Sequence, residues 1–296
     1  MSDLSSDELM SLLELAEKLK YEKKKGIAHE LLKGQTLGMI FEKSSTRTRV
    51  SFETGIYQLG GQGLFLSSKD TQLGRGEPIR DTARVLSRYL DGIMIRTFGQ
   101  EIVEELAQYA DIPVINALTD YAHPCQVLAD LLTIKEHKGS FAGRKLCYLG
   151  DGNNMANSLI VGGLLAGMDV AVATPAAYTP HAEVLAFAKN YPGKFTLTES
   201  ITEAAEDADA VFTDVWSSMG MESEIEQRKR DFAGFQINVS VMAHAKKDAM
   251  VQHCLPAHRG EEITEEVFEA HANEIFDEAE NRLHAQKAVM AALMQK

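Results

Sequence analysis

The sequence predicts an α/β protein of two domains, each a mainly parallel sheet flanked by helices. Three observations carry this. The chain has 296 residues, more than a single compact core usually holds. Short apolar runs alternate with helix-length segments along almost its whole length, the order that βαβ units produce. A break at Gly139-Ser140 and Phe141-Ala142-Gly143 separates two stretches of that pattern.

Leu9, Leu12, Leu13, Ala16 and Leu19 follow helical spacing and lead to Lys23-Lys24-Lys25 and Gly26, a favourable finish for a first helix. Ser5 and Glu8 stand at capping-box spacing before it. Leu37–Phe41, Gly63–Leu66, Gly92–Ile95 and Pro113–Asn116 read as strands. Helices are expected near Arg47–Leu59, Ile79–Leu90, Gln100–Ala110 and Pro124–Glu136. Strands resume with Lys145–Leu149, Val170–Thr174, Phe195–Leu197, Ala210–Phe212 and Val251–Cys254, with further helices between them. A last apolar helix, Leu283–Met294, has no strand after it and is expected to pack back on the first domain. The domains are therefore expected at residues 1–136, with 283–296 returning to them, and 137–282.

A formal net charge of -13 repels nucleic acid and anionic membrane, so a bound anion needs a local cluster of donors. The acidic start lacks the basic flank and apolar run of a signal peptide, and the uncharged stretch Gly152–Met168 is interrupted by Asn153, Asn154 and Asn157. Neither a leader nor a membrane span is expected. Three cysteines, Cys125, Cys147 and Cys254, point to free thiols and a cytoplasmic location.

Chemistry-bearing residues gather after strands, where open α/β sheets bind ligands. Ser45-Thr46-Arg47-Thr48-Arg49 opens a helix after the first strand. Unpaired N–H groups, the helix dipole, hydroxyls and a guanidinium make a phosphate site there, against the plainer reading of an ordinary cap. Arg96 closes the third strand, and on its own is as readily a surface arginine. His123-Pro124-Cys125-Gln126 follows the fourth, where an imidazole and an amide can donate to a carbonyl oxygen.

Gly150-Asp151-Gly152-Asn153-Asn154-Met155 resembles the start of a dinucleotide fingerprint. The third glycine is missing, and the next strand ends at Ala173-Thr174 without an acidic residue, so an amino-acid site using Asn154 ranks higher. Asp214-Val215-Trp216-Ser217-Ser218-Met219-Gly220 follows another strand; its aspartate can bind an ammonium group or simply form a turn. His253-Cys254-Leu255-Pro256 ends the last strand. The nine histidines form no recognisable metal-ligand set, so neither metal nor cofactor is expected.

The strings Ser45-Thr46-Arg47-Thr48-Arg49, His123-Pro124-Cys125-Gln126 and His253-Cys254-Leu255-Pro256, in that order, resemble the aspartate/ornithine carbamoyltransferase family. The similarity extends through Asp81-Thr82-Ala83-Arg84-Val85-Leu86 and Glu280-Asn281-Arg282. Within the family, Ser218-Met219-Gly220 and Cys254 are similar to the members that act on ornithine. The resemblance implies transfer of a carbamoyl group from carbamoyl phosphate to the δ-amine of L-ornithine, with putrescine or N-acetylornithine as alternative acceptors. It implies that Ser45, Thr46, Arg47, Thr48, Gln72 and Arg96 bind the phosphate. Gln72 would come from the same or a neighbouring subunit. His123, Gln126, Arg96, Thr48, Cys254, Leu255 and Arg282 would surround the carbamoyl end, and Arg96, His123, Thr48 and Cys254 would be catalytic. Asn154, Asp214, Ser218 and Met219 would bind ornithine. A homotrimer without metal or cofactor is implied.

Overall fold

The computed structural model describes residues 1–218 and 220–295. The chain divides into two compact units, one of Met10–Leu128 with Arg282–Lys296 and one of Met1–Leu9 with Ala129–Asn281. The cuts fall at Leu9/Met10, Leu128/Ala129 and Asn281/Arg282, each inside a helix.

Helix α1 (Ser6–Lys24) begins at a reciprocal cap, in which the Glu8 amide donates to Ser5 Oγ (3.2 Å) and the Ser5 amide and hydroxyl to Glu8 (2.8 Å each). The first unit then runs β1 (Thr36–Phe41), α2 (Thr46–Gln58), β2 (Gln62–Ser67), α3 (Ile79–Leu86), β3 (Gly92–Arg96), α4 (Gln100–Tyr109), β4 (Val114–Leu118) and the start of α5 (Pro124–Lys138). Its four strands are parallel in the order β2-β1-β3-β4. β1 and β3 are buried along their length and read as unbroken apolar runs, as strands covered on both faces do. Leu37, Met39, Ile93 and Met94 have no exposed surface.

The second unit contains β5 (Lys145–Leu149), α6 (Asn154–Leu165), β6 (Asp169–Ala173), α7 (Ala182–Ala188), β7 (Phe195–Thr198), α8 (Ile201–Ala205), β8 (Ala210–Thr213), α9 (Ile225–Asp231), α10 (Val239–Met242), β9 (Met250–His253), α11 (Glu265–Ala270) and the beginning of α12 (Ala272–Met294). The five strands are parallel in the order β7-β6-β5-β8-β9. Cys147, Leu149, Val211, Val251 and Phe268 lie in one face's core.

Most elements lie within one or two residues of the sequence expectation, and three differences have a visible cause. β4 starts at Val114 and runs on to Leu118, since Pro113 has no N–H and enters the sheet only through its carbonyl, which accepts from Ile93 (2.9 Å). α3 stops at Leu86; Ser87 folds its hydroxyl onto the Ala83 carbonyl (2.7 Å) and the chain turns. α12 begins at Ala272, well before Leu283, because its polar residues Glu278 and Asn281 are buried and bonded rather than exposed. Asn281 donates to Thr133 (2.9 Å) and Glu136 (2.8 Å).

In the second unit Asp209, fully buried at the foot of β8, accepts from Arg144 (2.7 Å), Lys246 (2.7 Å) and the Lys145 amide (2.9 Å). Burial alone would raise its pKa, but these three partners outweigh it and hold the carboxyl below its ordinary value. Its contribution to stability is therefore complete above the ordinary carboxylate range and is lost as pH falls through the lowered value. Asp209→Ala strands two cations, and is expected to cost about 3 kcal/mol at pH 7 in urea denaturation. A variant as stable as the parent would contradict this account.

Candidate active site

In the first unit the strand order reverses between β1 and β3, and the crevice at their carboxyl ends is where such sheets take ligands. Ser45, extended at φ -163°, caps α2; its hydroxyl accepts from the Thr48 amide (3.1 Å) and donates to Thr48 Oγ1 (3.0 Å). The first turn of α2 has no acidic residue, so its dipole is left for an anion. Thr46 and Arg47 are exposed there, whereas Thr48 is buried.

Arg96 ends β3 and is 7% exposed. The register against β4 slips at this point, Ile95 facing Asn116 and Arg96 facing Leu118, and such a bulge re-aims a side chain. The Arg96 carbonyl accepts from the Glu42 amide (2.9 Å), which locks it to the end of β1. After β4 the Thr119 amide donates to the Ala122 carbonyl (2.8 Å), and Ala122 returns a bond to Thr119 Oγ1 (3.0 Å). This tight turn delivers His123 and Gln126 at the start of α5, both buried.

Arg282 of α12 joins the same cluster: its Nη1 donates to Gln126 Oε1 and its Nη2 to Thr48 Oγ1 (3.3 Å). With its amide turned to satisfy both neighbours, Gln286 accepts from Arg282 (3.0 Å) and donates to Ser51 (2.6 Å). Burial, then the charges of Arg282, Arg96 and Arg47, push the His123 pKa well below the ordinary imidazole value. His123 is thus a neutral donor at pH 7, suited to polarising a carbonyl rather than to delivering a proton as imidazolium.

The structure brings Ser45, Thr48, Arg96, His123, Gln126 and Arg282 together, with Arg47 near enough for its charge to act on His123. Gln72 is exposed in a loop whose turn is fixed by its own carbonyl, which accepts from Arg75 (2.9 Å) and Glu77 (3.1 Å). Sequence reasoning missed Lys43, a buried cation that pairs with Asp120 and lies 4.4 Å over the Phe98 ring. It also missed Gln286, whose one signal was a position one helical turn beyond Arg282.

In the second unit the order reverses between β5 and β8, and polar residues again collect after those strands. Asn153 caps α6, accepting from the Met155 (2.9 Å) and Ala156 (3.3 Å) amides, and its Nδ2 donates to Asp214 Oδ2 (3.0 Å). Asp214 Oδ1 accepts from the Val215 amide (2.8 Å) and from Cys254 Sγ (3.1 Å). Asn154 is half-buried beside this arrangement as the first residue of α6, so the direct link that the sequence did not single out is Asn153. Ser218 is half-buried in the following loop; Met219 lies outside the described residues.

Burial, then the Asp214 charge and hydrogen bond, raise the Cys254 pKa well above the ordinary thiol value. Cys254 is therefore a neutral thiol, not a nucleophilic thiolate. Arg228 braces the loop from below, donating to Asp151 (2.7 Å) and to the Trp216 carbonyl (2.9 Å). Burial raises the Asp151 carboxyl, and Arg228 partly offsets it.

Gly152 explains the partial dinucleotide fingerprint. A Cβ there would meet the Thr179 carbonyl carbon at 2.3 Å, so the chain itself covers the face a pyrophosphate would need. Among the described residues, Asp214, His253 and Cys254 bring ligand-type atoms within 4.8 Å of one another, as do His258, Glu261 and Glu262. In the first group both His253 ring nitrogens are engaged, Nδ1 by the Leu255 amide (2.9 Å) and Nε2 by Glu262 (3.1 Å). A metal would have to break one of these bonds.

Residues 1–136 match the model described as "Aspartate/ornithine carbamoyltransferase, carbamoyl-P binding domain", and residues 142–293 match "Aspartate/ornithine carbamoyltransferase, Asp/Orn binding domain". The chain is 59% identical to an ornithine carbamoyltransferase of Oceanobacillus iheyensis, covering 99% of this chain and 92% of that one. It is 58% identical to one of Pelobacter propionicus, covering 99% and 97%. Among solved structures, the ornithine carbamoyltransferase of Pyrococcus furiosus is similar at a TM-score of 0.94 and 51% identity, over 99% of this chain and 95% of that one. The anabolic enzyme of Campylobacter jejuni is similar at 0.93 and 45%, over 98% and 96%. Two family domains matched in sequence order, with the expected residues at the ends of the matching strands, show that the chain belongs to the aspartate/ornithine carbamoyltransferase family.

Proposed function

We propose that the chain transfers the carbamoyl group of carbamoyl phosphate to the δ-amine of L-ornithine, giving L-citrulline and phosphate in arginine biosynthesis. The observation that carries this is its 59% and 58% identity to proteins named ornithine carbamoyltransferase over nearly their full length. The geometry supports it. Ser45, Thr46, Arg47 and Thr48, with Arg96 and with Gln72 from its own or a neighbouring subunit, bind the donor's phosphate. His123, Gln126 and Arg282 bind its carbamoyl end, with Cys254 and the Leu255 carbonyl serving the carbamoyl NH2 and the reacting amine. Asn154, Asp214, Ser218 and Met219 bind the amino-acid end of ornithine.

The neutral amine attacks the carbonyl carbon, negative charge builds on the carbonyl oxygen, and phosphate leaves with the C–O bonding pair, taking up the proton that the attacking nitrogen releases. Arg96, neutral His123 and Thr48 are donors for that oxygen. An amine with a lysine-like pKa of about 10.4 is mostly protonated at pH 7. Turnover is therefore expected to rise as pH increases above neutrality.

The test is ureido-product formation from carbamoyl phosphate with ornithine, N-acetylornithine, putrescine or aspartate. Ornithine should be carbamoylated at least about 100-fold faster than the others, since buried polar contacts left unmade by the wrong acceptor are worth that much. Preference for another amine would overturn the reading.

The same reading takes the chain to be a cytoplasmic homotrimer. No helix among the described residues is long and apolar enough to cross a membrane. Edge strand β2 exposes Leu64 and Phe65, and α2 beside it exposes Val50 and Tyr57, apolar surface of the kind that marks protein contacts. Sedimentation equilibrium at micromolar concentration should give three times the 32.6 kDa chain mass, and Phe65→Glu should lower it. An active monomer would contradict the trimer.

A further inference from the structure

The turn after β9 is held by a buried chain of hydrogen bonds. Leu255 has a left-handed backbone, φ 59°, which a branched side chain rarely adopts and which surrounding bonds must hold in place. Its amide donates to His253 Nδ1 (2.9 Å). Nδ1 is therefore the unprotonated nitrogen, and the ring proton sits on Nε2, where it points at Glu262 Oε1 (3.1 Å). Both side chains have at most 1% exposure, so water does not compete for either end.

The Glu262 oxygen is itself aimed by the His258 amide (2.5 Å), and the His253 amide donates to Glu278 Oε2 (2.8 Å). Between His253 and Leu255 lies Cys254, whose thiol donates to Asp214. The imidazole thus spans the residue whose thiol must face the acceptor.

We infer that His253 and Glu262 are positioning residues for carbamoyl transfer: Glu262 fixes the His253 tautomer, and His253 Nδ1 fixes the Leu255 turn that presents the Cys254 thiol and the Leu255 carbonyl. This rests on the proposed function for the reaction concerned, while the turn itself can be read without turnover. Both residues are buried behind the turn they hold. Their effect passes through the placement of residues 254 and 255.

Two His253 variants separate the ring's two bonds. His253→Asn keeps an acceptor where Nδ1 stood and loses the reach to Glu262; His253→Gln keeps a donor near Nε2 and loses the Leu255 acceptor. Glu262→Gln keeps an acceptor for Nε2–H without the charge. Two quantities are measured: kcat with KM for carbamoyl phosphate, and the rate of Cys254 alkylation by iodoacetamide, followed by peptide mass spectrometry. Cys125 and Cys147 are buried and serve as internal references.

His253→Gln should lower kcat by about 10²-fold, the loss that a displacement of about 1 Å costs. Its KM for carbamoyl phosphate should stay unchanged, and Cys254 should be alkylated about tenfold faster as its bond to Asp214 loosens. His253→Asn and Glu262→Gln should remain within about tenfold of the parent in both readouts, the scale of a single neutral hydrogen bond. If His253→Gln loses its melting transition, Glu262→Ala takes its place with the same expected kcat loss. Equal losses in His253→Asn and His253→Gln, or an unchanged alkylation rate in His253→Gln, would overturn the inference. A parent protein that carbamoylates no amine would instead sink the proposed function, and the alkylation rates would still report on the turn.

Discussion

Arg96→Ala is expected to lower citrulline formation at saturating substrates by about 10²- to 10³-fold, the usual loss when one donor to a developing oxyanion is removed. The size follows from burial. At 7% exposure the guanidinium acts where water does not screen it, and the register slip at Ile95/Arg96 sets its direction before substrate arrives. Arg96→Lys should recover part of the loss, because a point charge replaces the charge but not the planar fork. Single-turnover measurement with saturating carbamoyl phosphate reads the chemical step. Full activity in a folded Arg96→Ala protein would remove Arg96 from the mechanism.

Asp214→Asn should act on the acceptor. Asp214 gathers Asn153, the Val215 amide and Cys254, and its remaining capacity is the charge available to an ammonium group. A hydrogen bond to a charged group contributes about 1.5–3 kcal/mol. The KM for ornithine should therefore rise by about 10- to 100-fold while that for carbamoyl phosphate stays within twofold. Removing the carboxylate also relieves one of the causes that raise the Cys254 pKa, so alkylation of that thiol should begin at a lower pH than in the parent. An unchanged ornithine KM would place the amino-acid site elsewhere.

Much of this was legible in the sequence for a physical reason. A buried parallel strand must be apolar along its length, so β1, β3, β5 and β8 announce themselves as short apolar runs. Residues just past such a run stand at a carboxyl edge, which made Ser45, Arg96, His123, Asp214 and Cys254 visible. What stayed hidden was pairing across the sheet. Lys43 and Asp120 are 77 residues apart and Asn153 and Asp214 are 61 apart, with no local pattern to link them. α12 extends further than its apolar pattern indicates for a related reason, since hydropathy does not distinguish a solvated polar residue from one buried against a partner. His253 and Glu262 were similarly obscured: a histidine beside a cysteine invites a reading as ligand or catalyst, and the tautomer emerges only with the Leu255 amide in view.

Arg282 has a consequence for how the protein is made. Its bond to Thr48 joins residues 234 positions apart, and Gln126 waits for the same guanidinium across 156. Contacts this distant close late and cannot form on a ribosome until the whole stretch between the partners has been synthesised. The cluster that includes Thr48, Gln126 and Arg282 is thus complete only after the acceptor half of the chain has been translated.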